Sequence, residues 1–241
     1  MQNIFTLLTT VQPYTIGCIF MLVYLAEQIT PQRRYKIDYR HDGINLLIGV
    51  FNLAVAGLGG YLLQKSIVMA QVQHFGLLYF LPLWAQLTAG LILSDLFMYW
   101  WHRANHLIPF LWRFHRFHHE DKKLNTSSAV RFHFVELIIS YFLKIPVFIF
   151  LGISRETVIL YSFIFLPVVI LHHSNIRIAD VADSIVRYFI VSPKMHRIHH
   201  SMHRRETNSN YGSVLPYWDI LFKSYIKKPE GTIRFGLEEQ Y

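Results

Sequence analysis

Hydrophobic and polar positions follow each other along the chain in long blocks. Apolar runs cover approximately residues 14–29, 44–63, 75–101, 135–153 and 156–173. A helix rises 1.5 Å per residue, so about 20 apolar residues cross a hydrocarbon core of about 30 Å. The pattern therefore predicts an all-α integral membrane protein with about four to five transmembrane or re-entrant helices.

Two of the five runs leave an alternative open. The first run is short and ends near Glu27, which suits either a transmembrane or an interfacial helix. Lys144 and Pro146 interrupt the fourth run, so the fourth and fifth runs form either a transmembrane or a re-entrant hairpin. Residues 64–74, between the second and third runs, are predicted to form a short polar loop.

The basic residues indicate how the chain is threaded. Lys and Arg number four in 30–43, six in 102–134 and ten in 174–241, against one in 64–74. Five membrane crossings would place the three segments richest in Lys and Arg on the same side of the membrane. The positive-inside rule predicts that this side is cytosolic. The predicted organisation is N-terminal transmembrane helices (1–101), a first histidine-rich cap segment (102–134), a hairpin (135–173) and a C-terminal histidine-rich cap (174–241).

Composition agrees with a membrane protein. Hydrophobic residues make up 53% and charged residues 16%, where soluble chains average about 25% charged. The net charge of +8 comes without a nucleic-acid-binding signature, so we expect no nucleic acid partner. Cys18 is the single cysteine, which excludes an internal disulfide and a cysteine-rich zinc site.

Histidines cluster in the predicted cap. The chain has 14, and eight of them form one His-x-x-x-His and two His-x-x-His-His patterns: His102, His106; His115, His118, His119; and His196, His199, His200. Residues four apart share a helix face. In His-x-x-His-His the first two histidines share a face, and the third, turned by about 100°, can reach a neighbouring metal. The spacing predicts a dimetal site, although imidazole alone does not choose among Fe, Zn, Cu and Ni.

Other polar residues could support these histidines. Asp95 lies two helical turns before His102, where it could bond the free N–H of a ligating histidine or face the headgroups at a helix end. His133 could be a ligand or could orient one. One of His172 and His173 is expected to reach the site. Isolated histidines are more often structural, and we expect this of His41, His74 and His203.

These segments also resemble a known family. The elements DLFMYWWHRANH, LWRFHRFHHE, RFHFVE, HHSNIRI, SPKMHRIHHS and NYGSVLPYWDILFKSY, over about residues 95–225, are similar to the fatty acid hydroxylase/sterol desaturase superfamily. The resemblance implies a four-helix membrane stem, a helical cytosolic cap and a histidine-ligated non-haem diiron centre. It assigns the metal-ligand role to His102, His106, His115, His118, His119, His173, His196, His199 and His200. His173 is preferred over His172 because the His-Ser-Asn element aligns with His173, Ser174 and Asn175, which makes Asn175 a supporting residue.

The resemblance also implies a reaction and partners. The reaction is the O2-dependent hydroxylation or desaturation of a lipid, fatty acyl, sterol or related, at two Fe ions. Because no cytochrome b5-like or flavin-binding segment is visible, we expect electrons from a separate donor. An acidic electron-transfer protein could dock by charge complementarity on a basic face, which could equally contact headgroups: Arg197, Arg204, Arg205, Lys227 and Lys228.

Two other functions stay open. A membrane zinc-dependent lipid hydrolase would be expected to carry HExxH or a carboxylate base beside the clusters, and the sequence suggests neither. A non-enzymatic metal-binding membrane protein would place its histidines at mid-membrane, whereas here they follow the apolar runs.

Overall fold

The computed structural model of the chain describes residues 2–36 and 38–237. Residue 1 of the predicted segment 1–101, residue 37, and residues 238–241 of the predicted cap lie outside the described residues. The described part contains two isolated β-bridges, one 3-10 helix and ten α-helices. These are α1 (Gln2–Ile29), α2 (Tyr39–Val72), α3 (Leu83–Leu107), α4 (Pro109–His119), the 3-10 helix (Thr126–Val130), α5 (Phe134–Leu151), α6 (Arg155–His173), α7 (Asp180–Val186), α8 (Pro193–His199), α9 (Arg204–Thr207) and α10 (Tyr217–Leu221).

Four helices are long and apolar enough to cross a membrane by length and composition: Ile4–Ile29 within α1, then α2, α5 and α6. The expected all-helical membrane protein is therefore confirmed. The first run begins earlier than predicted, at Gln2 rather than at residue 14, which gives α1 a full spanning length. The third predicted run is not among the four helices that meet these criteria.

The predicted polar loop 64–74 is wrong over most of its length, because α2 continues to Val72. Leu63 and Ile67 flank the polar residues in this stretch and are buried against Phe148 of α5. Their burial stabilises the helical conformation across the polar residues that lie between them, and those residue types are themselves compatible with a helix.

The hairpin of α5 and α6 is continuous on both sides of a tight turn. Pro146 does not end α5, whose 18 residues span about 27 Å, so no re-entrant break is present there. Gly152 ends α5 in the left-handed region with φ 73°, and Ser154 caps α6 by accepting a hydrogen bond from Thr157 N at 3.1 Å. The turn after α2 packs closely against the turn between α5 and α6. A Cβ atom added to Gly76 would lie only 2.3 Å from Gly152 Cα, so a side chain does not fit at this position.

Helix α3 begins later and ends later than the predicted run 75–101. Residues 75–82 form turns, and the helix runs from Leu83 to Leu107. It therefore carries His102 and His106 on the same helix as the apolar run, and the predicted boundary after residue 101 falls inside it. Helix α6 packs against α1, α3 and α8, and so connects the apolar helices with the C-terminal segment.

The three basic segments meet at one end of the helices. Gln32 N donates to Asn175 O at 2.6 Å, and Arg33 Nη2 donates to Ile233 O at 2.5 Å. Thr126, between α4 and α5, donates to Glu27 through both its amide and its hydroxyl. The histidine-rich helices are therefore at the same end of the molecule as the segment between α1 and α2.

Candidate metal centre

Two short helices present the His-x-x-His-His sequences. Pro109 is the first residue of α4, and Pro193 is the first residue of α8, where a fixed φ favours helix initiation. Ser192 caps α8 by accepting a hydrogen bond from Met195 N at 3.2 Å. These helices lie against the ends of α3 and α6, which supply His102, His106 and His173.

The nine predicted ligand histidines lie together in two groups. In each group one ring nitrogen of every member lies within 4.8 Å of those of the others. The two groups adjoin, since the rings of His119 and His200 stack with centroids 4.5 Å apart. The first group is His102, His106, His115, His119 and His199, and the second is His118, His173, His196 and His200.

The division within each His-x-x-His-His sequence differs from the expected one. We expected the first two histidines, three residues apart, to share an ion. Instead His115 shares a group with His119, and His196 shares one with His200, while His118 and His199 belong to the opposite groups. Spacing by four places side chains more nearly above one another on a helix than spacing by three, because a turn has 3.6 residues.

Hydrogen bonds on the outer side of the rings fix several of these histidines. Nδ1 donates to a backbone carbonyl in His102 (Tyr211 O, 2.8 Å), His118 (Arg131 O, 3.0 Å), His173 (Val169 O, 2.8 Å) and His199 (Ser209 O, 2.7 Å). A carbonyl can only accept, so each of these Nδ1 atoms carries the proton. The Nε2 lone pairs are then free to bind an ion.

In the second group the Nε2 atoms of the rings face one another. His118 Nε2 lies 3.0 Å from His173 Nε2, and His196 Nε2 lies 3.1 Å from both His173 Nε2 and His200 Nε2. His118 and His173 both hold their proton on Nδ1, so this close pair of Nε2 atoms has no proton to share. Two hydrogen-bond acceptors this close together repel each other, and the arrangement becomes favourable when a cation lies between them.

Burial keeps these rings neutral. It lowers the pKa of His118, His196 and His200 well below the ordinary value and that of His199 to about 3. A neutral imidazole is the form that binds a metal. Within the described residues, His106, His119, His115 Nε2 and His199 Nε2 have no hydrogen-bond partner, although all are buried. The donor set therefore fits two metal ions, and the nine-residue ligand set remains a prediction.

The other histidines lie outside both groups. His172 is buried and stacks on His196 with centroids 3.8 Å apart, beside the second group. His133 caps α5, where its Nδ1 accepts a hydrogen bond from Val135 N at 3.2 Å. His41 lies between two carboxylates, Asp42 at 2.9 Å and Asp121 at 2.7 Å. His74 and His203 are also outside the groups, as expected.

Glu136 contacts the first group, and the sequence reasoning did not assign it a role. Its Oε1 lies 2.9 Å from His115 Nδ1 and 3.4 Å from Asn105 Nδ2, and the side chain is buried. The expectation that no carboxylate lies beside the clusters is therefore wrong. An ionisable residue in the first turn of an apolar helix was the available signal, because such residues are rarely placed there without a partner.

Asp95 and Asn175 are buried, but their hydrogen bonds go elsewhere than to the histidine groups. Asp95 accepts from Val214 N, Leu215 N, Tyr161 Oη and Trp218 Nε1 at 2.7–3.2 Å, which ties α3 and α6 to the C-terminal segment. The expected bond from Asp95 to a histidine N–H is replaced by these four. Asn175 donates to Arg33 O at 2.8 Å and accepts from Arg33 N at 3.1 Å, which holds the segment after α1.

Tyr211 forms one wall of the first group, and sequence reasoning did not assign it a role. Its ring centroid lies 5.2 Å from that of His106, and its carbonyl holds His102. Asp219 accepts from the amides of Tyr211 and Gly212, both at 2.8 Å, so that this backbone is fixed.

The predicted basic docking face needs one correction. Arg197 is 5% exposed and donates to Ser174 O and Ile176 O, both at 2.7 Å, so it cannot meet a partner protein. Burial lowers its pKa to about 10. The other four members of the face, Arg204, Arg205, Lys227 and Lys228, are exposed.

Comparison with known proteins adds a family and several relatives. A family model described as fatty acid hydroxylase matches residues 87–224, more than half of the chain, including every histidine of the two groups. No solved structure matches the chain significantly.

The relatives are enzymes that act on lipids according to their names. The ornithine lipid hydroxylase OlsE of Rhizobium tropici is 32% identical over 156 residues, 61% of this chain and 44% of that protein. The alkylglycerol monooxygenase of Homo sapiens is 29% identical over 143 residues, 59% of this chain and 31% of that protein. The Danio rerio alkylglycerol monooxygenase is 25% identical over 236 residues, 93% of this chain and 49% of that protein. The chain thus spans less than half the length of these relatives.

Proposed function

The chain belongs to the fatty acid hydroxylase family, and on that premise we propose that it is a membrane oxidoreductase that uses O2 to oxidise a lipid C–H bond. The observation that carries the proposal is the convergence of nine histidines, eight of them buried and His102 half-buried, in two adjoining groups at the end of apolar helices. Hydroxylation is preferred to desaturation, because the relatives named above are a hydroxylase and monooxygenases.

The proposed cofactor is a pair of non-haem iron ions, one in each histidine group. Bound iron would supply the one-electron redox chemistry that O2 activation requires. The overall reaction takes a C–H bond, O2, two electrons and two protons to an alcohol and water.

The protein's own residues prepare this site in three ways. Backbone carbonyls hold Nδ1 protonated in His102, His118, His173 and His199, which directs Nε2 inwards. Glu136 positions His115 in the same way. Burial of the rings excludes water, so that the ligands stay neutral and reactive species are kept from solvent.

We place the histidine groups on the cytosolic side, since the three basic segments are at that end. A test would exchange Cys18 for Ser, introduce Lys228→Cys, and label oriented vesicles with a membrane-impermeant maleimide. Labelling from the cytosolic face alone is expected. Labelling from the opposite face alone would reverse the orientation.

Electrons are proposed to come from an acidic protein that docks on Arg204, Arg205, Lys227 and Lys228. Reversing these four charges should slow turnover with a protein donor and leave turnover with a small chemical reductant unchanged. An equal loss in both assays would rule out docking at this face.

The experiment that tests the function is anaerobic iron reconstitution of the purified protein in nanodiscs, followed by labelled O2. Mass spectrometry is expected to detect a lipid that has gained one labelled oxygen atom, with O2 consumption dependent on iron. Cleavage of a lipid by the zinc-loaded protein without O2 would instead favour a hydrolase. This alternative is tested because the Glu136 carboxylate, which lies beside the first group, is a candidate base for hydrolysis. Metal transport without any lipid product would favour the non-enzymatic alternative.

A further inference from the structure

A second polar site lies at the same end of the molecule as the histidine groups. It is a cavity of about 500 Å³ between the last turn of α1, the segment 30–36, the start of α2 and the loops after α4 and α6. This volume is in the range of small-molecule pockets, roughly 300–1,000 Å³. Because α1 and α2 can both cross a membrane, their adjoining ends lie at the level of lipid headgroups.

Glu27, which lines the cavity, has a carboxylate oxygen without a donor. Glu27 is 2% exposed and its Oε2 accepts from Thr126 N, Thr126 Oγ1 and Asn175 N at 2.7–3.0 Å. Its Oε1 accepts from none of the residues that the structure describes. A buried, unpaired carboxylate oxygen is costly, so a ligand that donates a hydrogen bond to Oε1 would be strongly favoured.

Charged side chains of both signs line the cavity. Asp42 lines it but is paired with His41, another lining residue, at 2.9 Å, so Glu27 is the buried carboxylate there without such a partner. Arg34 and Lys36 line it as well and are exposed. The buried Glu27 carboxylate and the exposed Arg34 and Lys36 side chains complement a molecule that carries both an ammonium group and an anionic group.

Two residues that line the cavity connect it to segments next to the histidine groups. Asn175, which lines it, is two residues after His173. His41 also lines it and bonds Asp121, two residues after His119, at 2.7 Å. A headgroup held here would therefore bring the adjoining part of its lipid close to both groups.

We propose that this cavity binds the headgroup of an aminolipid substrate, with its primary ammonium at Glu27 and its phosphate or carboxylate at Arg34 and Lys36. The inference rests on the proposed function only in calling this lipid the substrate. A primary ammonium can donate hydrogen bonds to Oε1, whereas the quaternary ammonium of a choline headgroup cannot.

The binding test uses metal-free protein, so that it does not depend on catalysis. The full chain is mixed with nanodiscs of equal phosphatidylethanolamine and phosphatidylcholine, and retained lipid is measured by native mass spectrometry. Wild type should prefer phosphatidylethanolamine, and Glu27→Gln should reduce this preference about tenfold. The glutamine keeps an acceptor for Thr126 and Asn175 while removing the charge. Glu156→Gln makes the same exchange in a different cavity, which is lined partly by α3 and α6 residues. It should leave the preference for phosphatidylethanolamine unchanged.

A second variant guards against misfolding of the buried site. Arg34 and Lys36 are exposed, so their joint replacement by Gln should leave the melting temperature unchanged and still weaken retention of phosphatidylethanolamine. Free phosphoethanolamine should compete with the lipid only at high concentration. Tighter binding of phosphoethanolamine than of the lipid would overturn the lipid assignment. The proposal would also fail if wild type showed no preference for phosphatidylethanolamine, or if E27Q and E156Q retained the two lipids in the same ratio.

The substrate assignment has its own readout. Iron-loaded wild type offered both lipids should oxidise phosphatidylethanolamine in preference to phosphatidylcholine. Equal oxidation of the two, with selective binding retained, would overturn the assignment of this headgroup to the substrate. Selective binding without oxidation of any lipid would contradict the proposed function and leave the binding site standing.

Discussion

Glu136 offers the sharpest test of how the protein prepares its histidines. The Glu136 carboxylate lies 2.9 Å from His115 Nδ1, and the two side chains are 5% and 2% exposed. Glu136→Gln keeps the shape and an acceptor oxygen but removes the charge, and Glu136→Leu removes the acceptor. The two variants therefore separate the hydrogen bond from its charge.

The expected magnitude follows from the burial of this pair. A hydrogen bond to a charged group contributes about 1.5–3 kcal/mol, and little solvent is present here to weaken it. That corresponds to about 10- to 100-fold in the affinity of the first group for iron. Charge-assisted bonds are roughly twice as strong as neutral ones, so we expect a loss of about tenfold for Gln and about 100-fold for Leu.

The assay is an anaerobic titration of the metal-free protein with ferrous iron against a chromophoric chelator. Binding at the second group, which does not contain His115, should be unchanged in both variants. Asp95→Asn is a matched control, because this buried carboxylate bonds Tyr161 and Trp218 and no histidine. It should lower the melting temperature without changing the affinity of folded protein for iron. Wild-type affinity in both Glu136 variants would refute the positioning role.

Two further predictions concern stability. Burial lowers the pKa of His199 to about 3, against about 6.5 in an unfolded chain. The unfolded state then binds more protons between these values, so stability is complete above pH 6.5 and is lost as pH falls from there towards 3. Thermal melts of metal-free protein should show this decline, and a constant melting temperature from pH 7 to pH 4 would contradict it. Gly76 has φ 122° and faces Gly152 Cα, so Gly76→Ala should destabilise by about 2–4 kcal/mol. Gly57→Ala, with open space around it, should be neutral or stabilising, and equal melting temperatures for the two variants would oppose this explanation.

The helical membrane architecture was predictable, because apolar runs of spanning length have few alternatives. The end of α2 was not predictable. The polar residues after Leu63 resemble a loop in the sequence, and only the packing of Ile67 against α5 shows why the helix continues. Hydropathy located the apolar helices but not their ends, since α1 begins at Gln2 rather than at residue 14 and α2 ends at Val72 rather than at residue 63. It does not report the packing that extends a helix.

The histidines were predictable as a set, and their partners were not. Spacing identified eight of the nine members of the two groups, and the family resemblance added His173. The division between groups depends on how α4 and α8 face each other, which local periodicity does not contain. Asp95 was misjudged for a similar reason, because its partners Val214 and Trp218 are more than 100 residues away in sequence. Long-range contacts of this kind leave no local pattern.

The central claim is that two iron ions are bound by separate histidine groups. Iron analysis combined with X-ray absorption at the iron edge tests it most directly, in wild type and in variants with one histidine removed from each group, His119→Ala and His200→Ala. The account predicts two irons per wild-type chain with nitrogen ligands, and selective weakening of one iron in each variant. A single iron in wild type, or a variant in either group that releases both irons while the chain stays folded, would contradict it.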